Sequence, residues 1–277
     1  MATYPLRTAI SDTYPNPSNA TARTGFGALY DFDTSHPFGQ CRLVKSGANL
    51  VLQRFNGQWL CINDKVYSVP SAGVSLAASG LTPSTLYYIY AYMSGATMTL
   101  EASTTTYAAD TTSGLNVKST DVTRTLVGIA RVITGPAWAD TDAQRFVLSW
   151  FNRRPIRLYR QNGSAPTTGS ATPVSLVGPM EFLTWADSCV PAKFVGVVTN
   201  STVNSKNYTA LAIDTSGTVA HAPTSYQNYA INSEGGASGG TTFVLSEGYH
   251  FAHTVGYVSG GSATWTAGIE MSGEIQG

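Results

Sequence analysis

Apolar residues along this chain recur at alternate positions in short runs, and turn-forming residues separate one run from the next. The clearest runs include LVLQRF, LYYIYAYM, TLVGIARVI, RFVLSWF, FVGVVT and YTALAI. A period of two places side chains on alternate faces of a strand, and runs that repeat roughly every eight to twelve positions are typical of sandwiches and barrels. The pattern therefore predicts an all-β protein with two antiparallel β-sandwich or jelly-roll-like domains.

The predicted strands fall into two groups, separated by QNGSAPTTGSATP at residues 161–173. A stretch of small polar residues and proline without charge is typical of a linker or long loop. We therefore expect a proline-rich N-terminal arm at 1–45, a first β-sandwich domain at 46–160 and a C-terminal jelly-roll-like domain at 174–277. Residues 19–32 of the arm are a helix candidate, because Ala, Arg and Leu favour a helix there, although two glycines oppose it.

The closing segment, EGYHFAHTVGYVSGGSATWTAGIEMSGEIQG, predicts two alternating strands joined as a hairpin by a glycine turn at 259–262. Alternation points His250 and His253 to opposite faces of the first strand, so they cannot share a metal ion there. We expect both to be hydrogen-bonded histidines among aromatic residues. One face of the second strand is apolar and should lie in the core: Trp265, Ala267, Ile269, Met271 and Ile275.

Composition limits the classes of function. The chain has 277 residues, with 16 basic and 16 acidic side chains and a formal net charge of zero, so no overall positive field attracts nucleic acid. Charged residues make up only 12% of the sequence, which fits a β protein with a hydroxyl-rich polar face. No apolar run is long enough to span a bilayer or to act as a signal peptide, so we expect no membrane insertion and no classical export.

The sequence offers little for catalysis. It has four histidines, and none lies in a nucleophile or zinc motif. The close acidic pairs are Asp31 with Asp33 and Asp140 with Asp142, which could bind calcium but lack the full calcium-loop pattern and fit solvated turns better. We therefore predict no catalytic residue, no cofactor and no metal site, and we expect that the protein is not an enzyme.

Five of the 16 basic residues are arginines that follow one another in AQRFVLSWFNRRPIRLYRQ without an acidic residue among them. Arginine suits carboxylates, phosphates and desolvated interfaces. One hypothesis is that this stretch docks against an acidic neighbour, and the alternative is a solvated surface neutralised by distant acids. The candidate interface residues are Arg145, Arg153, Arg154, Arg157 and Arg160.

A tyrosine stripe is the second candidate surface. LYYIYAYM places Tyr88, Tyr90 and Tyr92 on one face of a strand. Such a stripe can stack on sugars or line a protein interface, and it can equally cover a sandwich with its hydroxyls wet. Both a glycan or protein contact and a packing role stay open for these residues.

Three cysteines match no zinc or redox spacing. In one interpretation all three are buried or inert thiols. In the other, Cys41 and Cys61, which flank the run LVLQRF, form a disulfide, and Cys189 pairs with a partner subunit. An oxidising exterior would favour such late disulfides.

Several short blocks follow one another in residues 50–154: LVLQRFNGQWLCINDKVYSV, LYYIYAYMSGATMTLEAS, TRTLVGIARV, GPAWAD and QRFVLSWFNRR. In this order they resemble a β module of tailed-bacteriophage virion proteins, found in tail-fibre, spike and neck-associated components. The resemblance implies a structural or adhesive protein of the virion, with no active-site residues to carry over.

The closing strands, EGYHFAHTVGYVSGG and the strand that ends in GEIQG, are similar to those of a tumour-necrosis-factor-like jelly roll. Phages use such jelly rolls as trimeric heads. No obvious trimer-forming coiled coil precedes these strands, so two alternatives remain: a trimer, or a symmetry set by the partner on which the protein sits.

The resemblance, the low charge and the many strands predict a bacteriophage virion structural protein of a tail fibre, neck, collar or decoration, assembled in the bacterial host cytoplasm. Its partners would be other virion proteins and further copies of itself, as a homo-oligomer such as a trimer, with host-surface glycans as a further ligand. The alternatives are a free lectin-like module and a tail-spike carbohydrate-active enzyme, which requires two carboxylates that converge in a cleft.

Overall fold

The computed structural model describes residues 39–266 and 268–277, and every regular element in these ranges is a β-strand. This confirms the all-β class predicted from the alternating pattern. Within the described ranges, no helix is long and apolar enough to cross a membrane. Some features predicted from the sequence lie outside the described residues: most of the arm at 1–45, the helix candidate at 19–32, Asp31 and Asp33.

Twenty-four strands follow one another along the described chain. The first twelve are β1 (Cys41–Ser46), β2 (Asn49–Arg54), β3 (Trp59–Ile62), β4 (Lys65–Ser68), β5 (Val74–Leu76), β6 (Leu86–Ser94), β7 (Thr97–Ser103), β8 (Tyr107–Ala109), β9 (Asn116–Lys118), β10 (Asp121–Ile133), β11 (Ala137–Trp138) and β12 (Asp140–Thr141). The second twelve are β13 (Gln144–Arg145), β14 (Val147–Ser149), β15 (Pro155–Gln161), β16 (Thr167–Thr168), β17 (Val174–Thr184), β18 (Ser188–Asn200), β19 (Lys206–Ile213), β20 (Thr224–Gln227), β21 (Gly235–Leu245), β22 (Gly248–Val258), β23 (Ala263–Trp265) and β24 (Glu270–Gln276).

The N-terminal half is built around a sheet with the strand order β7-β6-β10-β9-β8, in which β11 and β14 also pair with β10. Beside it lie a three-stranded sheet, β1-β2-β5, and a two-stranded pair of β3 and β4. The C-terminal half is a sandwich of two six-stranded sheets, ordered β12-β13-β17-β22-β19-β20 and β15-β24-β18-β23-β16, with β21 paired to β18. Among the described strands, only β13 and β17 run parallel to each other.

The C-terminal sheets begin earlier in the chain than the linker predicted at 161–173. Strands β12 and β13 already belong to one of these sheets, and β15 pairs along its whole length with the last strand, β24. Within the predicted linker, Thr167 and Thr168 form β16 and pair with β23. The partner of Thr167 is Thr264, 97 residues later, so the local pattern could not reveal this pairing.

Strands β6 and β10 are buried on both faces. Tyr90, Leu126 and Ile129 point into a large core that is shared with the C-terminal sandwich. Ile89 and Val127 point the other way, into a second core that also contains residues of β1 and β2. Strands buried on both faces have near-continuous apolar sequences, which explains LYYIYAYM and TLVGIARVI. The two halves of the protein therefore share a core.

The closing segment differs from the predicted hairpin. Strand β22 pairs on one side with β17 and on the other with β19, so it has no free edge for the next strand. The chain crosses at 259–262 to the opposite sheet, where β23 and β24 pair with β18. This arch places β22 and β24 on opposite sides of the same core. Four of the five residues predicted on the core face are at most 1% exposed, which confirms the prediction for them: Trp265, Ile269, Met271 and Ile275. The fifth, Ala267, lies outside the described residues.

Replacing Ile129 by Ala should lower the free energy of unfolding by about 2–5 kcal/mol, because the substitution leaves a cavity in the shared core. Val122→Ala on the same strand is the matched control. Val122 is 54% exposed, so this change should alter stability by no more than about 0.5 kcal/mol. Urea unfolding measures both values, and equal effects of the two variants would contradict the burial of Ile129.

Candidate functional site

The two histidines of β22 belong to the scaffold. His250 Nδ1 lies 2.8 Å from a carboxylate oxygen of Asp214, and its Nε2 lies 3.1 Å from the carbonyl oxygen of Ser246. His253 Nδ1 lies 2.7 Å from the hydroxyl of Ser175. Burial lowers the pKa of His253, which favours its neutral ring. Each ring has its own partner on its own face of the strand, as the alternation predicted.

Arg145 has acidic neighbours from the turn that precedes it. Its guanidinium pairs with Asp142 and lies 3.5 Å from a carboxylate oxygen of Asp140. Asp142 also lies 3.6 Å from Arg157. Arg145 is therefore engaged within the chain and is no free charge for an acidic partner. The aspartate pair considered as a calcium ligand binds arginine instead.

The remaining arginines have different settings. The backbone N–H and carbonyl of Arg154 exchange hydrogen bonds of 2.8 and 3.0 Å with Gly277, which holds the end of the chain. Arg160 is half-buried in β15, whereas the side chain of Arg157 is 63% exposed. Arg145 is therefore held by side-chain ion pairs and Arg154 by backbone hydrogen bonds, while Arg154 and Arg157 are both exposed to solvent.

Arg153 is an exposed residue that packs against two tryptophans where the two halves of the protein meet. Its guanidinium carbon is 4.3 Å from the ring centre of Trp150 and 4.6 Å from that of Trp185. The two indole rings meet edge to face at 4.9 Å, and the ring of Tyr107 packs on both, at 5.5 and 6.4 Å. Burial lowers the pKa of Arg153. Cation–π attraction stabilises this arginine without a carboxylate in direct contact.

Tyrosine hydroxyls form hydrogen bonds at the same contact between the two halves, which we call the joint. Tyr88 and Tyr107 each donate a hydrogen bond of 2.8 Å to one carboxylate oxygen of Glu247. Tyr90 donates to the carbonyl oxygen of Thr105 at 2.8 Å. Burial and then the bond to Glu247 raise the pKa of Tyr88, and the same causes raise the pKa of Tyr107 to about 12. Glu247 therefore ties the N-terminal sheet to the C-terminal sandwich.

The tyrosine stripe is a packing feature. Tyr88 is 8% exposed and Tyr90 is fully buried, so neither can present a ring face to a glycan. Tyr92 is half-buried, and the guanidinium of Arg124 lies 3.9 Å from its ring centre. Of the two alternatives, burial favours packing for Tyr88 and Tyr90, because the C-terminal sandwich covers that face of the sheet.

All three cysteines are free thiols, so the disulfide considered between Cys41 and Cys61 is not formed. The two residues lie on β1 and β3, which belong to different sheets, and both are buried. Burial raises the pKa of Cys41 to about 12 and that of Cys61 to about 11, so both thiols stay protonated. Cys189 is exposed on β18, and its pairing with a partner subunit stays a prediction.

An open groove of about 650 Å³ lies on the outer face of the sheet formed by β15, β24 and β18, and we call it the β24 groove. Its central strand has two small residues, Ser272 and Gly273, between Glu270 and Glu274. Longer side chains on the neighbouring strands leave a depression over Ser272, which is the small outward-facing residue of the central strand. The residues that these neighbouring strands contribute are Arg157, Tyr159, Pro191, Ala192 and Lys193.

Gly273 forms the floor of the β24 groove. It lies opposite Leu158 on one side and Ala192 on the other. A Cβ atom at this position would lie 2.8 Å from the carbonyl oxygen of Pro191, closer than real Cβ contacts. Glycine therefore lets the strands approach closely and leaves a floor made of backbone.

The charges of the β24 groove are only partly used within the chain. Glu270 accepts a hydrogen bond of 3.0 Å from the hydroxyl of Tyr159, and Arg157 lies 4.3 Å from the centre of the same ring. Lys193 and Glu274 are exposed, and neither forms an ion pair with any residue in the described ranges. One cation and one anion on adjacent strands therefore face solvent.

The two carboxylates of the groove, Glu270 and Glu274, lie four residues apart on one strand, which separates their Cα atoms by roughly 13 Å. In the part of the chain that the structure describes, no group of three or more His, Cys, Asp or Glu residues is placed to hold a metal ion.

The sequence identified one member of the groove, Arg157, and missed the others. The alternation of EMSGEIQ does place Glu270, Ser272 and Glu274 on the outward face of β24. The pattern does not say which strands flank β24. Tyr159 is 111 residues away from its partner Glu270, so the groove exists only after long-range strand pairing.

No protein-family model matches this chain. No curated protein matches it either. Solved structures with a weak similarity to this chain include Eiger TNF from S. frugiperda, at 9% identity and a TM-score of 0.31; the match covers 44% of this chain and 93% of that one. The VP2 subviral particle of infectious bursal disease virus is similar at 12% identity and a TM-score of 0.35, and the match covers 91% of this chain and 78% of that one. A T13 particle of that virus is similar at 12% identity and a TM-score of 0.36, and the match covers 94% of this chain and 78% of that one. Proteins of viral particles are thus among the structural neighbours, and these weak likenesses assign no function.

A thiol reagent added to the folded protein should modify Cys189 alone, because Cys41 and Cys61 are at most 1% exposed. All three should react after denaturation. Intact mass spectrometry counts the adducts in each state, and Cys189→Ser is the control that should show none when folded. Rapid modification of a second cysteine in the native protein would contradict the burial, and an unreactive pair after denaturation would reveal a disulfide.

Glu247→Gln should lower the pKa of Tyr88 and Tyr107, because a carboxylate that accepts a phenol's hydrogen bond favours the neutral phenol. In the wild type the folded state holds these protons more tightly than the unfolded chain. The resulting stability is present below about pH 10 and is lost as the pH rises through the folded pKa, about 12 for Tyr107.

Ultraviolet titration should therefore show tyrosinate forming at lower pH in Glu247→Gln than in the wild type. Glu234→Gln removes an exposed acid elsewhere and should leave the curve unchanged. Superimposable titration curves for all three proteins would contradict the effect of Glu247 on the two tyrosines.

Proposed function

We propose that this chain is a structural component of a virion that binds other virion proteins through the β24 groove. The observation that carries the proposal is the pair of exposed, opposite charges without an ion-pair partner in the described chain, Lys193 and Glu274, on adjacent strands. Charges held by a rigid sheet set the register of a partner that carries the complementary signs.

The shape of the groove favours a large ligand. Small-molecule sites are concave pockets lined mainly by apolar side chains. The β24 groove is open, has a floor of backbone at Gly273 and has polar walls that include Tyr159 and Lys193. Such a lining suits the surface of another protein, or a polysaccharide, better than a small cofactor.

The finer proposal is a bacteriophage protein of a tail fibre, neck, collar or decoration, assembled in the bacterial host cytoplasm. It is supported by the order of sequence blocks in residues 50–154 and by a composition low in charge and rich in hydroxyl groups. A trimer is proposed as one arrangement of its copies.

A second candidate is a host-surface glycan in the same groove. It is favoured by Tyr159, because tyrosine rings stack on sugars, and by the hydroxyl of Ser272 and the carboxylates beside it. Arg157 covers one face of that ring, so a sugar would use the other. We propose binding of the glycan without its hydrolysis.

Lys193→Glu should lower the number of copies per particle at least about tenfold at low salt, because the new carboxylate would face the partner's acidic group. Lys206→Glu is the matched control, since it makes the same change at an exposed lysine of the other sheet. Quantitative mass spectrometry of purified particles measures the number of copies per particle for both variants.

The outcomes separate the parts of the proposal. Absence of the wild-type chain from purified particles would refute the virion role, and normal incorporation of Lys193→Glu would refute the groove as the docking site. Saturable binding on a glycan array that is lost in Tyr159→Ala, with incorporation unchanged, would favour the second candidate.

A further inference from the structure

Within the described residues, strand β21 lies at the edge of its sheet. It pairs with β18 along all of Gly235–Leu245 without a bulge, and no other strand in the described part of the chain pairs with it. Among the described residues, its second edge therefore offers a row of N–H and C=O groups that no strand pairs with. Proteins protect such edges with charges, prolines, bulges or short strands. The sequence of β21, GGASGGTTFVL, has neither charge nor proline over its 11 residues.

Apolar surface lies next to this edge. Val244 is 71% exposed on the outer face of β21. On the adjacent strand Val195 is 47% exposed, and Cys189 lies directly opposite Val244. The edge therefore combines unpaired backbone with side chains that water solvates poorly.

The two halves of β21 complement each other in size. The first half, GGASGG, has only small residues, whereas the second, TTFVL, is bulkier. Two copies that pair antiparallel around Gly240 place the small half of each against the bulky half of the other. The opposed positions are Gly235 with Leu245, Gly236 with Val244, Ala237 with Phe243 and Ser238 with Thr242.

We propose that β21 is the self-association site of this protein, where a second copy adds its own β21 antiparallel around a two-fold axis at Gly240. The sheet that contains β18 and β21 in one copy then continues into the same sheet of the second copy. Hydrogen bonds between the backbones supply the attraction, and the opposition of small and bulky residues sets the register.

A second copy fits this edge better than an unrelated strand. The edge carries no charge with which to select a different partner. Its one asymmetry, small against bulky, is matched by its own inverted copy, as the isologous interface of a two-fold dimer requires. A parallel in-register copy would instead place Val244 on Val244 and leave the glycines facing each other. The pairing does not depend on the virion role proposed above.

Disulfide trapping tests the register. Ser238→Cys and Thr242→Cys are made separately in a Cys189→Ser background, which removes the exposed native thiol. Both positions are exposed on the outer face of β21. Residues directly opposite each other in an antiparallel pair have Cα atoms about 4.5 to 5.5 Å apart, which suits a disulfide.

Position 238 of one copy faces position 242 of the other in the proposed register. Each variant alone should therefore stay uncross-linked under mild oxidation, and an equimolar mixture should give a covalent dimer on a non-reducing gel. No cross-link in the mixture would overturn the proposal. Cross-linking within a single variant would overturn the axis at Gly240.

Light scattering on the whole chain tests the association itself. The wild type should dimerise, and Thr242→Lys should raise the dimer dissociation constant at least about tenfold, because a charge on the edge opposes pairing. Thr97→Lys, at an exposed position on the edge strand β7 of another sheet, is the control and should dimerise like the wild type. A monomeric wild type overturns the proposal, and so does a Thr242→Lys variant that dimerises normally.

Discussion

The burial of β6 and β10 on both faces is the constraint on which the rest of the structure depends. One face of these strands closes the N-terminal core and the other completes the core of the C-terminal sandwich. Tyrosines on the second face bring hydroxyl groups into a place with little water, where each needs an acceptor. Glu247 accepts from Tyr88 and Tyr107, and Arg153 lies against the neighbouring tryptophans. The contact between the two halves is therefore mainly apolar, and its polar contacts are those of the tyrosine hydroxyls with Glu247 and of Arg153 with the tryptophans.

The groups that first suggest chemistry are used inside the protein. His250 is bonded to Asp214, Arg145 is paired with two aspartates, and Glu247 is shared by two tyrosines. These contacts stabilise turns and joints, since a buried or half-buried charge is costly without a partner. Among the described residues, Lys193 and Glu274 of the β24 groove carry charges without an ion-pair partner, and β21 has one edge with which no strand pairs.

The two proposed surfaces share one strand. β18 pairs with β24 on one side, where the groove lies, and with β21 on the other, where the edge is open. The inner face of β18 is anchored in the core through Val190, Phe194 and Val198, each 1% exposed. A strand held in this way keeps both surfaces in a fixed relation, so a dimer formed at the edge would present two grooves in defined positions.

The alternating sequence by itself determined the all-β class, the opposite faces of His250 and His253, and the core face that ends at Ile275. These properties are local, because side-chain direction in a strand repeats every two residues. The tertiary structure alone decided which strands are neighbours. It turned the closing hairpin into an arch, since β17 and β19 occupy both edges of β22. It also buried Tyr88 and Tyr90 and assembled the β24 groove, because strand pairing and burial depend on contacts between residues far apart in the chain, which a local period cannot encode.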